Sequence, residues 1–350
     1  MDPQKLCLRI GGVVIAGAVV LRLLSAGTLH PLWQALTRPE TVAVLMYLET
    51  GRVVRNYSTI TYPAESPIPE TTKPTAPLIP RPVFSAEDAA HIEIDYECDY
   101  DPDITQLLTQ PLSWDLIGAE PKVLIVHTHA TESYTASPGE IYTETADYRT
   151  LDENYNMIAI GNALAARLEA AGIGVIHDRQ LHDYPSYNGS YSNARSSIQA
   201  ILEENPGIRM VLDLHRDATA AGNAQLDTSA QVGGKESAQL MIVVGTDAGG
   251  LYHPHWEENF SLALKLQTQL ENAHPGLCRP IDLCSERFNG DLSPGALLVE
   301  VGAAGNTRSE ALTAAEALAD GVIALARGTD LTKIPPVKRM GMGHGLCPQY

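Results

Sequence analysis

The stretch Val123-Leu-Ile-Val-His-Thr-His-Ala-Thr-Glu132 passes directly from an apolar run into ionisable residues. A second stretch, Met210-Val-Leu-Asp-Leu-His-Arg-Asp217, repeats this arrangement further along the chain. Short apolar runs of this kind are typical of buried strands, and open α/β sheets carry their chemistry at the carboxyl ends of such strands. The two stretches therefore predict two strands whose polar ends contribute to one functional site.

Apolar strand patterns alternate with helical patterns from Pro121 onward. Strands are expected at 123–126, 172–176, 209–214, 240–244 and 296–301, and helices at 154–170, 193–204, 257–273 and 308–326. Alternation of this kind is typical of a parallel sheet that is covered on both faces. The sequence therefore predicts an α/β fold with a mostly parallel, twisted sheet and helices on both faces.

The two polar strand ends together offer a set of zinc ligands. Catalytic zinc usually takes three imidazole or carboxylate ligands from the protein. We predict that His129, Glu132 and His215 bind one Zn²⁺, although a single histidine at a strand end is more often a hydrogen-bonded loop residue. Asp213 or Asp217 is expected to orient a ligand imidazole.

A carboxylate interrupts the third strand pattern, Ala296-Leu-Leu-Val-Glu-Val-Gly302. Burial of a glutamate costs several kcal/mol unless it is paired, protonated or near a metal. Glu300 is therefore the candidate general base that takes a proton from the attacking water. Arg216 is expected to help stabilise the oxyanion that develops during attack.

Other residues compete for these roles. His127 lies two residues before His129 and is an alternative ligand, and Asp152 and Glu153 offer alternative carboxylates at the start of a predicted helix. The segment His177-Asp-Arg-Gln-Leu-His-Asp183 has the composition of a second metal cluster. Because Tyr184, Tyr187 and Tyr191 follow it, we interpret this segment as a groove wall for glycan or peptide, or as a plain surface loop.

Composition excludes some classes of function. The formal charge of −18 argues against nucleic acid as a partner, because phosphate binding requires clustered Lys and Arg. The five cysteines are odd in number and lack C-x-x-C spacing, so they predict neither a thiolate zinc cluster nor a disulfide framework.

The N-terminal part has a different organisation from the rest of the chain. An uncharged run, 10–21, lies between Arg9 and Arg22 and predicts a membrane segment over residues 1–28, either a signal anchor or a cleaved signal peptide. Residues 29–120 are expected to form a juxtamembrane region and a linker, with seven prolines in 63–82 and eight acidic residues from Glu87 to Asp103. A catalytic domain over 121–327 and a flexible tail over 328–350 complete the predicted organisation.

Several longer motifs resemble one known family. The motifs His-Thr-His-Ala-Thr-Glu-Ser-Tyr (127–134), Asp-Leu-His-Arg-Asp (213–217), Val-Val-Gly-Thr (243–246) and Asn-Gly-Asp-Leu-Ser-Pro-Gly (289–295) occur in the same order as in stage II sporulation protein P. The resemblance covers about residues 121–327 and extends to the layout of an anchor and a linker. One departure is Gly290, where the family usually has an amide residue.

The resemblance implies a membrane-anchored, zinc-dependent cell-wall hydrolase. It implies a fold similar to N-acetylmuramoyl-L-alanine amidases and zinc carboxypeptidases, amidase and endopeptidase activity on peptidoglycan, and stage II sporulation proteins D and M as partners. It also implies septal wall thinning and forespore engulfment, with the catalytic domain of a single-pass protein outside the cytoplasm, in the intermembrane space at the septum. The alternatives are a zinc exopeptidase or deacylase of similar fold, and a catalytically silent envelope scaffold.

Overall fold

A seven-stranded sheet forms the centre of the part of the chain that the computed structural model describes, residues 84–112, 114–218, 220–221, 224–225 and 227–328. The strands are β1 Ile94–Tyr96, β2 Gly118–Val126, β3 Glu144–Ala146, β4 Arg149–Thr150, β5 Ile173–His177, β6 Met210–Asp217, β7 Ala220–Ala221, β8 Ala224–Gln225, β9 Ser229–Val232, β10 Lys235–Ala238, β11 Leu240–Gly245, β12 Ile281–Cys284 and β13 Ala296–Ala303. The helices are α1 Ala86–Ala89, α2 Ile104–Thr109, α3 Met157–Ala170, α4 Ser190–Glu204, α5 Trp256–Ala273 and α6 Arg308–Arg327, with a 3-10 turn at Gly290–Leu292.

The order of strands in the sheet is β1-β12-β11-β13-β6-β2-β5. The pair β11–β13 is antiparallel, and the other five pairings of this sheet are parallel. The prediction of a mostly parallel sheet is therefore confirmed. This order places β2, β6 and β13 side by side, so the three strands that carry polar residues in the sequence are neighbours.

Helices cover both faces of the sheet, as predicted. Val123 and Ile125 point to the face where α3, α5 and α6 pack, and Leu124 and Val126 point to the face where α4 packs. Alternate residues of a strand face opposite sides, so a strand that is buried on both sides is apolar throughout. This explains why the strand patterns in the sequence are continuous apolar runs.

Local signals set the ends of the long helices. Asn156 caps α3 by accepting from the backbone of Ile158, and Thr307 forms a capping box with Glu310 at the start of α6. The guanidinium of Arg167 on α3 donates two hydrogen bonds of 2.6 Å to Asp320 on α6. This bidentate pair fixes the two helices to each other over the sheet.

The structure differs from the sequence prediction in the region assigned to the linker. β1 pairs with β12 at the edge of the sheet, and α2 buries Leu107 and Leu108 against the core. Lys265 on α5 donates from Nζ to the Leu107 carbonyl at 2.6 Å. The three residues of β1 lie among acidic residues, and such a composition is typical of a solvent-exposed segment. The sequence around β1 therefore does not indicate a strand, and β1 forms because it pairs with β12.

No helix among the described residues is long and apolar enough to cross a membrane. The predicted membrane segment at 1–28 lies outside the described residues, as does the predicted tail beyond Gly328.

Candidate metal and catalytic site

The strand register brings the candidate residues to one edge of the sheet. In the pairing of β6 with β13, Glu300 lies directly beside His215. The pairing of β2 with β6 aligns Val126 with Asp213, so the turn that follows β2 and carries His129 and Glu132 lies above the end of β6. Residues far apart in sequence thus become neighbours because parallel strands end at the same edge.

Two aromatic side chains enclose the two candidate histidine ligands. The rings of His129 and His215 are perpendicular, with centroids 5.2 Å apart. Tyr187 stacks on His129 at 4.5 Å, and Tyr191 lies over His215 at 6.4 Å. Both imidazoles are almost fully buried. The packing therefore holds both rings in defined orientations.

Glu132 is buried and accepts from two arginines. Its Oε2 accepts from the backbone N–H of Arg216 at 3.2 Å and lies 3.8 Å from Nδ1 of His215. Its Oε1 lies 3.1 Å from Nη2 of Arg149. Arg149 also pairs with Asp183 at 2.7 Å, so this arginine connects the site to the loop after β5. Sequence reasoning missed Arg149, which stands in a short hairpin strand with no motif around it.

Asp213 holds the other side of His215. Its Oδ1 lies 3.0 Å from His215 Nε2, within ion-pair distance. The same carboxylate accepts from the backbone and the hydroxyl of Thr128 at 2.8 and 2.6 Å. Asp217, the other predicted orienting residue, pairs with Arg279 at 2.6 Å. Asp213 is therefore the predicted orienting residue that contacts His215, and its orienting role stays a prediction.

Arg216 has its guanidinium directed at backbone carbonyls. Nε donates to the Ser133 carbonyl at 3.1 Å and Nη2 to the Tyr148 carbonyl at 2.9 Å. Nη1 lies 3.8 Å from Glu132. These contacts brace the loops that carry Glu132 and Arg149, and a role for Arg216 at an oxyanion stays a prediction.

The buried charges change the proton affinities of the site. Burial lowers the pKa of His215, but the charges of Asp213, Glu132 and Glu300 outweigh it and raise that pKa to about 10. Burial, together with the charge of His215, lowers the pKa of His129 to about 3. The pKa of Glu300 rises to about 8, mainly because of burial. The environment of His215 thus favours positive charge, which is the electrostatics that a cation site requires.

The residue types at this site are ones that bind zinc, although their side chains do not point to a single common position. Among the described residues, no three His, Cys, Asp or Glu side chains form a ready-made metal cluster. However, His129 Nδ1 and Glu300 Oε2 are buried atoms without a hydrogen-bond partner. Buried polar atoms of this kind normally find a partner. Two imidazoles and a carboxylate are the ligands that zinc takes, with Glu300 left beside them.

The alternative ligands have other partners. His127 Nε2 lies 2.8 Å from His177 Nε2, and its Nδ1 lies 3.2 Å from the Leu214 carbonyl. Asp152 accepts from the backbone and the side chain of Asn154 at the turn before α3. His127 therefore contacts His177 at the end of β5, and Asp152 binds Asn154 within its own turn.

The residues of the predicted second metal cluster, 177–183, have different partners and do not form one site. His182 Nε2 lies 3.1 Å from Asp178, and Asp183 accepts from Thr131 and Arg149. Tyr184 and Tyr187 are half exposed, and Tyr187 stacks on His129. This exposure agrees with the interpretation of the tyrosines as a groove wall, which stays a prediction.

Replacing Gly161 by alanine is expected to lower the free energy of unfolding by about 1–3 kcal/mol, because overpacking strains a filled interior. A Cβ at Gly161 would lie closer than 3.0 Å to the Nε2 atoms of both His127 and His177. Urea denaturation measures the change. Gly207→Ala is the matched control, since the nearest atom to its Cβ is a carbonyl oxygen at 3.4 Å. Equal stability of the two variants would contradict the expectation.

Comparison with known proteins confirms the family resemblance found in the sequence. A family model described as Stage II sporulation protein P matches residues 81–324. The Stage II sporulation protein P of Bacillus subtilis (strain 168) is 29% identical in an alignment of 214 positions that covers 58% of this chain and 50% of that protein. The chain thus spans about half the length of this curated relative.

Solved structures of amidases show a limited likeness. N-acetylmuramoyl-L-alanine amidase AmiC2 of Nostoc punctiforme has a TM-score of 0.35 and 15% identity, over 59% of this chain and 97% of that chain. The CwlD amidase from Clostridioides difficile in complex with the GerS lipoprotein has a TM-score of 0.34 and 15% identity, over 58% and 94%.

The family match includes every element that carries a candidate site residue. β2, β6 and β13, with His129, His215 and Glu300, all lie within residues 81–324. The match extends over more than half of the chain, and this chain belongs to the stage II sporulation protein P family.

Proposed function

We propose that the chain is a zinc-dependent peptidoglycan hydrolase that acts as an N-acetylmuramoyl-L-alanine amidase and also as an endopeptidase on peptide crosslinks. The observation that supports this proposal is the placement of His129, Glu132, His215 and Glu300 at one buried sheet edge, with unpartnered atoms on His129 and Glu300. Membership of the stage II sporulation protein P family supports the cell wall as the substrate.

Some residues of the chain would bind the metal, and another would transfer the proton. His129, Glu132 and His215 would hold the zinc, which supplies Lewis acidity toward the amide carbonyl and lowers the pKa of water. Asp213 keeps the His215 imidazole oriented through the Nε2 contact of 3.0 Å. Glu300 takes the proton from the attacking water and delivers it to the leaving nitrogen. Burial raises the pKa of Glu300, so its carboxylate accepts a proton more readily than an exposed glutamate does.

The surroundings of the site suit a glycopeptide. Tyr184 and Tyr187 are 50% and 56% exposed, and Tyr187 stacks on His129. Large aromatic faces at a site edge suit packing against sugar rings and peptide. We propose that these tyrosines form a wall that holds the glycan strand beside the metal.

The cellular setting is also part of the proposal. We propose that the chain is membrane-anchored, works outside the cytoplasm at the sporulation septum and cooperates with stage II sporulation proteins D and M during engulfment. The uncharged run between Arg9 and Arg22 and the family membership support this setting. A pull-down from sporulating cells with the full chain as bait, followed by detection of the two partners, tests it.

Incubation of the full chain with purified sacculi is expected to release stem peptides and to leave intact glycan strands, because the proposed reaction cleaves the bond between lactyl and L-Ala. Mass spectrometry of the soluble products measures this. Split crosslinks would establish the endopeptidase activity, and loss of all release after chelation would establish metal dependence.

Other outcomes of the digestion contradict the proposal. Release of single terminal amino acids would favour an exopeptidase, and no release in the presence of bound zinc would favour a silent scaffold.

A further inference from the structure

We propose that Tyr191 is a further catalytic residue, whose hydroxyl donates a hydrogen bond to the amide oxygen of the substrate as negative charge develops on that oxygen. This inference rests on the proposed function, because hydrolysis of an amide is the reaction that places such an oxygen at the site. Tyr191 is the second residue of α4, which begins at Ser190.

The ring of Tyr191 borders both candidate histidine ligands. Its centroid lies 6.4 Å from that of His215, with the two planes 14° apart, and 5.6 Å from that of His129, with the planes 87° apart. Tyr187, in contrast, stacks on His129 alone of these two and is more than half exposed. In the proposed reaction the amide carbonyl lies beside the two imidazoles. A donor that borders both rings is therefore placed to reach its oxygen.

Neighbouring groups hold Tyr191 in position. Phe288 packs against its ring with the centroids 5.5 Å apart, and Asn289 donates from Nδ2 to the Tyr191 carbonyl at 2.9 Å. The preceding residue, Ser190, is buried. A donor that is already fixed before the reaction needs no reorganisation when charge develops, and this property makes such donors effective.

The Tyr191 hydroxyl is free to act as a donor. It forms no hydrogen bond with another residue that the structure describes, and the side chain is only partly buried. The hydroxyls of Tyr134 and Tyr142, by comparison, donate to backbone carbonyls at 2.8 and 2.7 Å. A phenol with its ordinary pKa of about 10 is protonated at neutral pH. Burial and the charges of Asp213 and Glu300 raise the pKa of Tyr191 further.

The arginines at the site already bind other groups. Arg216 donates from Nε and Nη2 to two backbone carbonyls, and its Nη1 lies 3.8 Å from Glu132. Arg149 pairs with Glu132 and with Asp183. Stabilisation of the developing charge by either guanidinium would require it to leave these partners. Tyr191 has no such partner to leave.

The proposed step moves no proton to or from Tyr191. One O–H bond of the attacking water breaks, and its proton passes to Glu300. The water oxygen bonds to the amide carbon, and the π electron pair of the carbonyl moves to the carbonyl oxygen. The Tyr191 hydroxyl keeps its proton and donates to that oxygen. Because this hydrogen bond is strongest when the oxygen is charged, it favours the transition state over the bound substrate.

Replacing Tyr191 by phenylalanine tests the hydroxyl alone. The full, zinc-loaded chain is assayed with soluble glycan strands that carry stem peptides, over a range of concentrations. We expect kcat to fall by about 10²-fold while KM stays unchanged, as for a donor that acts only in the transition state. Tyr252→Phe is the matched control, because it removes the hydroxyl of a tyrosine that is 76% exposed in the loop before α5. It should change neither constant.

A second measurement does not depend on turnover. The zinc-loaded chain is titrated by calorimetry with a muramoyl peptide in which a phosphinate replaces the scissile amide, so that its oxygens carry the negative charge. Tyr191→Phe should weaken this binding about ten-fold or more, the usual effect of a hydrogen bond to a charged group. Its zinc content and thermal midpoint should not change, because the hydroxyl has no partner in the fold to lose.

Three results would overturn the role of Tyr191. They are a native kcat in Tyr191→Phe, equal affinity of the native and variant chains for the phosphinate, and a loss of activity in Tyr191→Phe that comes with lost zinc or a lower thermal midpoint. Tyr191→Leu removes the ring as well, and a defect in Tyr191→Leu alone would show that packing and not the hydroxyl is needed. A native chain that hydrolyses no peptidoglycan would contradict the proposed function itself, so the two failures are distinguishable.

Discussion

Replacing Glu300 by glutamine is expected to lower the rate of amide hydrolysis by about 10²–10⁴-fold, the usual contribution of a positioned general base. The amide of glutamine has nearly the shape of the carboxylate but cannot accept the proton from water. Glu300 lies beside His215 in the sheet, and its Oε2 is buried without a partner. The initial rate of stem-peptide release from sacculi measures the effect.

Stability and metal content serve as controls for this variant. Because Glu300 has its pKa raised by burial, the neutral glutamine is expected to fold at least as well as the native residue. Glu203→Gln, at an exposed position near the end of α4, is the matched change of charge and should leave the rate unaltered. A Glu300→Gln protein that retains its zinc and releases peptide at the native rate would remove Glu300 as the base.

Loss of bound zinc is the expected result of His215→Ala, and hydrolysis should fall to background with it. His215 lies between Asp213 and Glu132, where the surrounding carboxylates favour a cation. Removal of one of three protein ligands leaves too few donors to retain the metal. Zinc per protein molecule, determined by atomic emission after gel filtration, measures the change.

The carboxylate ligand is identified by a pair of variants. Glu132→Ala should also lose zinc, whereas Asp152→Ala should keep it, because Asp152 is engaged by Asn154. Glu132 also pairs with Arg149 and accepts from the backbone of Arg216, so its loss removes one of the two carboxylates that pair with Arg149. Glu132→Gln, which keeps a hydrogen-bond acceptor, separates this structural effect from ligation. Full zinc retention in both Glu132 variants would eliminate Glu132 as a ligand.

Much of the fold could be predicted from local pattern. The long helices and the central strands match the apolar periodicity of the sequence, and the helix ends match capping residues such as Thr307. β1 and β12 were not predicted, because each is short and their pairing joins residues about 187 positions apart, as in Ile94 with Ile281. A strand of three residues has too few positions to show a period.

The candidate site was predicted in part. Polar residues at the ends of two apolar runs identified His129, Glu132 and His215, and a carboxylate within a third apolar run identified Glu300. Arg149 was missed, and His127 could not be separated from His129. The structure distinguishes the two histidines because His127 extends toward His177 on β5.

The sequence by itself determined the alternation of strands and helices and the placement of ionisable residues at strand ends. Both follow from consecutive residues, whose hydrophobic period specifies which faces are buried. Only the tertiary structure decided which carboxylate faces His215, which arginine neutralises Glu132, and that Tyr191 borders both His129 and His215. Those contacts depend on strand order and register, which no local pattern encodes.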